Sequence, residues 1–476
     1  MRGEFWQKNK MRELPASRFL GSCVRLIYSR LNSLSAISLV NTMIVKCLFA
    51  LLILCHLPGI CSAADNGAAD NEAVDNWPQW RGPEGNGVAA ESGEYPTDFS
   101  AEEHVDWMVE LPGRGSSTPA VWGDRIFVTC PNELQDSVVC YDFSGQELWR
   151  KHLGNQRAGK HRNGSGSNPS PVTDGKYVVV YYKSGTVACL NFAGKIHWQR
   201  NLQELYGKDT LWWDLGTSPV LAAGNAVIAV MQEGESFLIA FDLESGQPAW
   251  KQNRKYECEP ESDQSYTTPC VVKLDGREVL ITWGADHLTG HDAHSGEQLW
   301  QCGGFNPGNQ GMWRVIASPA VDNEVAIVCY GRGEFLAAVD LRGASGDITA
   351  SHRLWEKSQI GSDVPTPVVH GQHVVLLTDK GKVFCLDKIT GQQLWKESLP
   401  KAKDKYYASP VLAGDTLYCA REDGIILTAT ISNDSKDAGL KNIVVNDMGE
   451  STIATPIPIR GKLLVRGEKH LFLISK

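Results

Sequence analysis

A Ser/Thr-Pro pair followed by an apolar or small residue recurs along this chain: Thr118-Pro119, Ser170-Pro171, Ser218-Pro219, Thr268-Pro269, Ser318-Pro319, Thr366-Pro367, Ser409-Pro410 and Thr455-Pro456. The prolines are 52, 48, 50, 50, 48, 43 and 46 residues apart. A fixed period near fifty restricts a chain to copies of one supersecondary unit that stack or close into a ring. Each copy reads alike. In the first, TPAV is a short strand and Gly123-Asp124 a turn; RIFVTC (125–130) is a second strand and NELQDS a loop. VVCYD (138–142) is a third strand, Ser144-Gly145 a turn, and ELWRKHL a fourth. β-branched and aromatic runs between glycine turns are strand signals. Four short strands per repeat make a propeller blade. The expected fold is therefore all-β: an eight-bladed β-propeller with four antiparallel strands per blade.

The eighth copy runs from Thr455 through KLLVRG to HLFLISK and stops after three strands. The missing strand stands at the other end, in HVDWMVEL (104–111), before the first Thr-Pro. Pairing of the N- and C-terminal strands is expected to close the ring and remove an open sheet edge. The propeller then spans 105–476, with 65–104 packing on it.

Between the third and fourth strands the chain repeats an acidic turn: DFSGQELW (142–149), DLESGQPAW (242–250), DAHSGEQLW (292–300) and DKITGQQLW (387–395). An Asp or Asn side chain caps backbone N–H groups in such a turn, and glycine accepts a positive φ. The tryptophan at Gly plus four lies on the outermost strand, too far out to fill a central channel. Trp107, Trp149, Trp198, Trp250, Trp300, Trp355 and Trp395 are expected to lie flat on the neighbouring blade as structural docking residues.

The pattern Ala-x-Asp-x-x-Thr-Gly-x-x-x-Trp resembles the docking motif of the PQQ-like propellers: the eight-bladed quinoprotein dehydrogenases and their non-enzymatic relatives. Ala240, Asp242, Ser245, Gly246 and Trp250 match it with Ser for Thr; Asp387, Thr390, Gly391 and Trp395 match it with Cys385 in the Ala position. The first two copies lose one residue before the glycine. The fifth, Asp340 to Trp355, carries an insertion. The seventh, ATISNDSKDAGL, lacks both the Asp turn and the Trp, and its blade is expected to be the least firmly held. WPQWRGPEGNG (77–87) is similar to the start of many secreted propellers of this kind; Trp77 and Trp80 are expected to pack on the body, with Arg81 on nearby carbonyls or carboxylates.

Net charge is −9, unevenly placed. Residues 1–64 hold eight Lys/Arg and two Asp/Glu, leaving 38 basic against 53 acidic residues beyond them. An acidic body with no basic run repels phosphate backbones, so nucleic acid is not an expected partner. Within the basic start, MIVK (43–46), the apolar run CLFALLILCHLPGI and Cys61-Ser-Ala-Ala64 read as a secretory signal cleaved after Ala64. Met43 offers an alternative start. The apolar run is short for a membrane span, which needs roughly 20 residues. Ile60 is bulky where lipoprotein processing at Cys61 expects a small residue. An exported protein, periplasmic or extracellular, is expected, with membrane contact only through an uncleaved leader.

Nine cysteines follow Ala64. Cys140, Cys189 and Cys385 occupy the small position of the motif, and packing is the better reading for all. Cys130 with Cys140 is the most plausible bridge. No CxxC, HExxH or His cluster suggests a metal site.

The resemblance implies two functions. One is an exported, non-catalytic module that binds protein or carbohydrate. The alternative is an alcohol or sugar dehydrogenase using pyrroloquinoline quinone with Ca²⁺, an Asp base and often an adjacent Cys-Cys pair. No adjacent pair exists here, and fold alone does not license the activity. The segments before each Ser/Thr-Pro should line one mouth of the channel. They are polar and aromatic: Arg114, His161-Arg162-Asn163, Trp212-Trp213-Asp214, Asp263-Gln264-Ser265-Tyr266, Trp313-Arg314, Asp363, Lys405-Tyr406-Tyr407 and Glu450. Aromatics beside Arg and Asp suit a planar ligand, a sugar or an inserted peptide; they would equally serve to plug the mouth by pairing with one another. His161, Arg162, Trp213, Trp313 and Arg314 are the expected ligand contacts.

Overall fold

A computed structural model describes residues 76–90, 93–434 and 436–476. All lie in the unit Gly67–Lys476. The leader, its cleavage site and Met43 fall outside the described residues. Blade 3 shows how one repeat folds. Val220–Ala222, Asn225–Val230, Phe237–Asp242 and Pro248–Asn253 pair antiparallel in chain order. The second and third strands are buried along nearly their whole length, because blades cover both faces, so they read as unbroken apolar runs. The fourth strand alternates, because its outer positions meet water.

Eight such sheets are present, each with at least four strands. Blade 8 is built from Ile457–Ile459, Lys462–Arg466, His470–Ile474 and, as its outermost strand, Val105–Glu110, with Trp107 opposite Leu473. The closure expected from the sequence is present.

Two rings of contacts join the blades. The inner ring uses the repeated Ser/Thr hydroxyls. Six of them accept from the main-chain N–H of the counterpart one blade earlier: Thr118 to Ser170, Ser170 to Ser218, Ser218 to Thr268, Thr268 to Ser318 and Ser318 to Thr366, all at 2.9 Å, then Thr366 to Ser409 at 3.0 Å. Thr455 N–H donates to Thr118 Oγ1 at 3.2 Å across the chain ends. These N–H groups are buried and lie outside the strand ladders, and the hydroxyl of the next blade satisfies them.

The outer ring uses the indoles. Trp107 Nε1 donates to the Phe143 carbonyl (3.1 Å), Trp149 to Phe192 (2.9 Å), Trp198 to Leu243 (2.9 Å), Trp250 to Ala293 (3.1 Å) and Trp355 to Lys388 (2.9 Å), each in the next blade. The rings rest on the next blade's glycine turn. A Cβ on Gly145, whose φ is +87°, would come within 2.8 Å of the Trp107 ring, so glycine meets both the backbone and the steric demand. In four of the sheets the indole stands opposite a small residue: Ala240 with Trp250, and Cys140, Cys189 and Cys385 with Trp149, Trp198 and Trp395.

The joints around the departures differ. Trp300 lies over Gly290 of its own blade. The fifth-copy insertion supplies the reason it is covered: Gly346–Asp347 adds to blade 4 as a fifth strand, parallel and beside Trp300 and Gln301. Trp395 faces blade 7, which lacks the acidic turn, and its buried indole N–H has no acceptor among the described residues. In blade 7 the column Val411, Tyr418, Thr428 ends on Val444 where other blades carry Trp. The expectation that this blade is weakly held is corrected on its blade 8 side. The segment 95–101 lies there, with Tyr95 and Phe99 buried among Tyr418, Ile426, Ile457 and Leu473. Tyr418 Oη donates to the Pro96 carbonyl (2.7 Å), Thr428 Oγ1 to Thr97 (2.6 Å) and Phe99 N–H to Asn446 Oδ1 (2.7 Å).

The nine cysteines after Ala64 are free. Cys130 faces Ser137 and Cys140 faces Phe127, so the two thiols are offset along the hairpin and no bridge forms. Burial pushes Cys130 up to about 11 and Cys140 to about 12, the behaviour of packed apolar side chains.

Phe99→Ala is expected to destabilise the protein by about 3–5 kcal/mol in urea unfolding, as removal of any large core aromatic does. Trp355→Phe is expected to lose about 1 kcal/mol more than Trp395→Phe in the same measurement, because only the first loses a hydrogen bond.

Candidate functional site

Strand direction decides which loops share a face. Each inner strand runs away from the Ser/Thr ring and the second strand returns. The lead-in loops and the hairpins between second and third strands therefore open on one side, the mouth. The acidic turns and residues 77–89 lie on the other.

That other end is closed by the chain itself. Trp77 exchanges main-chain hydrogen bonds with Val121 of blade 1 (2.9 and 2.8 Å), and Thr173 N–H of blade 2 donates to the Pro78 carbonyl (2.9 Å). Gly87 and Ala89 bond Leu412 of blade 7 (2.9 and 2.8 Å). Trp80 and Gly85 line a space with Pro219, Thr268 and Cys270 of blades 3 and 4. Arg81 is fully buried and donates to the carbonyls of Pro367 (2.5 Å), Pro410 (2.8 Å) and Asn86 (2.8 Å). Burial pulls its pKa down to about 9, which leaves it charged at neutral pH. Gly82 (φ +82°) is where the turn passes beneath the Trp77 ring, 3.0 Å from where a Cβ would stand. The sequence placed these tryptophans on the body; their position across the channel end comes from the ring.

At the mouth, the loop 156–168 forms a strap. It is anchored at blade 2, where Lys183 donates to the Ala158 carbonyl (2.9 Å) and its N–H to Gly166 (3.0 Å). Asp214 accepts from Lys183 Nζ and from the Lys160 and His161 N–H groups at 2.8 Å each. Burial works to raise the Asp214 carboxyl, but Lys183 and those N–H groups hold it below its ordinary value. The far end of the strap reaches blade 7. Arg162 Nη2 and Asn163 Nδ2 both donate to Glu422 Oε2, at 2.8 and 2.6 Å, and Glu422 Oε1 accepts from Lys405 N–H at 3.0 Å.

The expected contacts divide. His161 is exposed, and its Nδ1 accepts from Asn163 N–H (3.1 Å). Its ring meets Trp213 edge-on with centroids 6.2 Å apart. Trp213 is half-exposed and donates to Glu261 Oε1 at 2.7 Å. Arg314 sits between Glu261 (3.7 Å) and Asp363 (3.2 Å). These three form one network. Arg162 stands apart from it on Glu422. The ring of Trp313 packs edge-on against Tyr330 (5.1 Å) and over Gly331, so its face is turned into the body. The sequence missed Lys183, Glu261, Arg332 and Glu422. Lys183, Arg332 and Glu422 lie in or beside hairpins between second and third strands, which open on the same face. Strand parity would have found them; the lead-in loops alone do not.

Three of the mouth carboxylates, Glu261, Asp214 and Glu422, are committed to protein donors. Glu261 is buried and accepts from Trp213 and from Arg332 Nη2 at 2.7 Å each. Asp379 accepts from the Asp363 and Val364 N–H groups, and burial, with Asp363 beside it, raises its pKa. No group of three or more His, Cys, Asp or Glu side chains converges for a metal among the described residues. A calcium ion with a tricarboxylate quinone needs free oxygen donors and neighbouring cations. Here Glu261, Asp214 and Glu422 answer protein donors, Asp136, Asp263 and Asp286 each keep a single buried oxygen without a partner, and no two of the thiols are adjacent in sequence. The residues present do not fit that group. What the mouth offers a ligand is exposed indole and imidazole rings and guanidinium edges.

Residues 135–397 match the family model described as outer membrane protein assembly factor BamB. Outer membrane protein assembly factor BamB of Burkholderia pseudomallei (strain K96243) is 25% identical over 362 residues, covering 74% of this chain and 82% of its own. The crystal structure of BamB from Moraxella catarrhalis superposes with a TM-score of 0.55 at 14% identity, covering 78% of this chain and 96% of the other. Quinohemoprotein alcohol dehydrogenase from Comamonas testosteroni superposes with a TM-score of 0.59 at 12% identity, covering 86% and 82%. Identities this low in the two structures speak for a shared fold.

Glu422→Ala is expected to free the far end of the strap. Trypsin should then cut at Lys160 and Arg162 about tenfold faster with an unchanged melting temperature, because cleavage in a native chain follows local opening.

Proposed function

The chain belongs to the PQQ-like propeller family described as outer membrane protein assembly factor BamB, and on that premise we propose that it is an exported, non-catalytic binding module for proteins. Its work is placed in the assembly of outer-membrane proteins, as the names of its family and of its relative suggest. Protein is assigned as the ligand in preference to carbohydrate on the same ground. The contact face is the mouth, around His161, Trp213 and Arg314, with Arg162 on the strap.

The observation that carries this reading is the commitment of three of the mouth carboxylates. Glu261, Asp214 and Glu422 each accept from two or more protein donors. They pre-position rings and guanidinium groups instead of binding a cofactor. The half-exposed Trp213 and the exposed Arg162, held by the buried Glu261 and Glu422, suit the anchors of a protein interface. The opposite end of the channel is sealed by 77–89, so a segment that enters the channel would do so from the mouth.

The test uses the chain exported with its leader and purified from the cell envelope. Trp213→Ala with Arg162→Ala should lower capture of envelope proteins at least about tenfold, the effect of losing one anchor, at a melting temperature close to the parent's. Pyrroloquinoline quinone with Ca²⁺ should leave visible absorbance unchanged and reduce no dye. Quinone-dependent dye reduction would replace this reading with the dehydrogenase. Unchanged capture by the double variant would remove the mouth as the contact face.

A further inference from the structure

Charge around the mouth is divided between its two sides. The lead-in to blade 7 carries exposed Lys401, Lys403 and Lys405 with one acid, Asp404. Across the ring, the blade 3 hairpin 231–236 and the lead-in to blade 4, 255–264, hold Glu233, Glu235, Glu257, Glu259, Glu261 and Asp263 against a single base, Lys255. In the same sector three large apolar side chains reach solvent. Trp212, Trp213 and Met312 are 40%, 43% and 48% exposed.

The acids and the rings interlock. The loop 209–214 is tied to both acidic segments: Thr210 Oγ1 donates to the Glu233 carbonyl (2.7 Å), the Trp212 N–H to Gln264 Oε1 (2.9 Å) and the Trp213 N–H to Tyr266 Oη (3.2 Å). Each indole is tethered by its own Nε1–H, Trp212 to Glu233 Oε2 at 3.3 Å and Trp213 to Glu261 Oε1 at 2.7 Å. With the polar edges used, the ring faces are what remains for a ligand. The Met312 N–H donates to the Pro260 carbonyl at 2.9 Å, which sets it beside the same acidic segment.

The acids divide by what answers them. Glu261 is neutralised by Arg332 and Arg314. Glu257 pairs with Lys255 (2.9 Å) and Glu235 with Lys251 (3.9 Å), both in solvent, where such pairs contribute little. Glu233 and Glu259 accept from neutral donors, the Trp212 indole and Asn309 Nδ2 (3.1 Å). Asp263 keeps a buried oxygen without a partner. Burial raises its carboxyl above the ordinary value, and repulsion from Glu233 and Glu257 adds to the rise. No Lys or Arg side chain lies within ion-pair distance of Glu233, Glu259 or Asp263 among the described residues. Carboxylates short of cations beside fixed indole faces attract Lys and Arg twice over, by charge and by the ring quadrupole.

We propose that the loops 209–214, 231–236 and 255–264 dock a cationic segment of a partner protein, its Lys or Arg side chains laid on Trp212 and Trp213 and paired with Glu233, Glu259 or Asp263. An aliphatic neighbour in the segment covers Met312. This rests on the reading that the mouth binds protein, and it names the chemistry of the segment taken there. A second copy of the chain could present its own Lys401, Lys403 and Lys405 only mouth to mouth, which would bury the Trp213 and Arg162 anchors that a partner needs.

The probe is the peptide acetyl-Ser-Lys-Leu-Arg-Leu-Lys-Ser-amide, titrated calorimetrically into the exported chain. A version with norleucine at the three basic positions, a version with Glu there, and spermidine are the comparisons. The parent peptide should bind, and its Kd should rise about tenfold between about 20 and about 200 mM NaCl as the charges are screened. The norleucine peptide should bind at least about tenfold more weakly, and the Glu peptide should not bind. Trp212→Ala should weaken the parent peptide about fivefold. Glu233→Gln with Asp263→Asn should weaken it by a similar factor, at an unchanged melting temperature, and flatten the salt dependence. The proposal is overturned if the norleucine or Glu peptide binds as well as the parent, or if both variants leave its Kd unchanged. Spermidine binding as tightly would assign the sector to a small polyamine, and a dimer lost on Lys401→Glu with Lys403→Glu would assign it to a second copy; either overturns it. If Trp213→Ala with Arg162→Ala loses capture of envelope proteins while the parent peptide does not bind, the cationic assignment alone falls. If that double variant captures normally, the reading beneath it falls.

Discussion

A ring of sheets holds only if every blade is fastened to the next, and here the fastening is an indole laid on a glycine turn. The contact joins three requirements in one place. The outer strand buries its largest side chain, the next turn adopts a positive φ, and the indole N–H satisfies a carbonyl that the turn leaves free. Remove the glycine and the ring cannot approach; remove the indole and the carbonyl and the blade face are exposed together. At the channel, the Ser/Thr hydroxyls do the same task with hydrogen bonds alone.

The joints that break the pattern show how a closed ring tolerates defects. Blade 4 keeps its indole but turns it onto its own strand over Gly290, and the inserted Gly346–Asp347 covers the edge. Blade 6 keeps its indole without a hydrogen bond. Blade 7 has no indole, and Tyr95 and Phe99 from far upstream fill that seam. The segment before the first strand is therefore part of the ring. It seals one end of the channel with Arg81 and the blade 7–8 joint with two aromatic rings. At the mouth end, Asp214, Glu422 and Glu261 are spent on holding the strap, the Trp213 indole and the arginines in place.

Some of the site was legible from residue types. The lead-in loops do hold His161, Trp213 and Arg314 in one network, as their polar and aromatic character suggested. The partners that position them were not legible, because Glu261 bonds Arg332 from 71 residues away and Glu422 bonds Arg162 from 260 away. Trp313 illustrates the opposite failure. Its neighbour Arg314 faces the mouth, while its own ring fills a gap beside Tyr330. Adjacent residues in a loop point in different directions, and only packing decides which.

By itself the sequence determined the blade count, the strand order within each blade and the joining of the two ends. Those follow from a period, from alternation and from a count of strands, which are local or arithmetical properties of the chain. Tertiary structure alone decided what fills the seam beside Val444, which way Trp300 turns, and which acid answers which arginine. Those outcomes depend on residues that a ring brings together from distant repeats. No local propensity encodes a neighbour that arrives only when the circle closes.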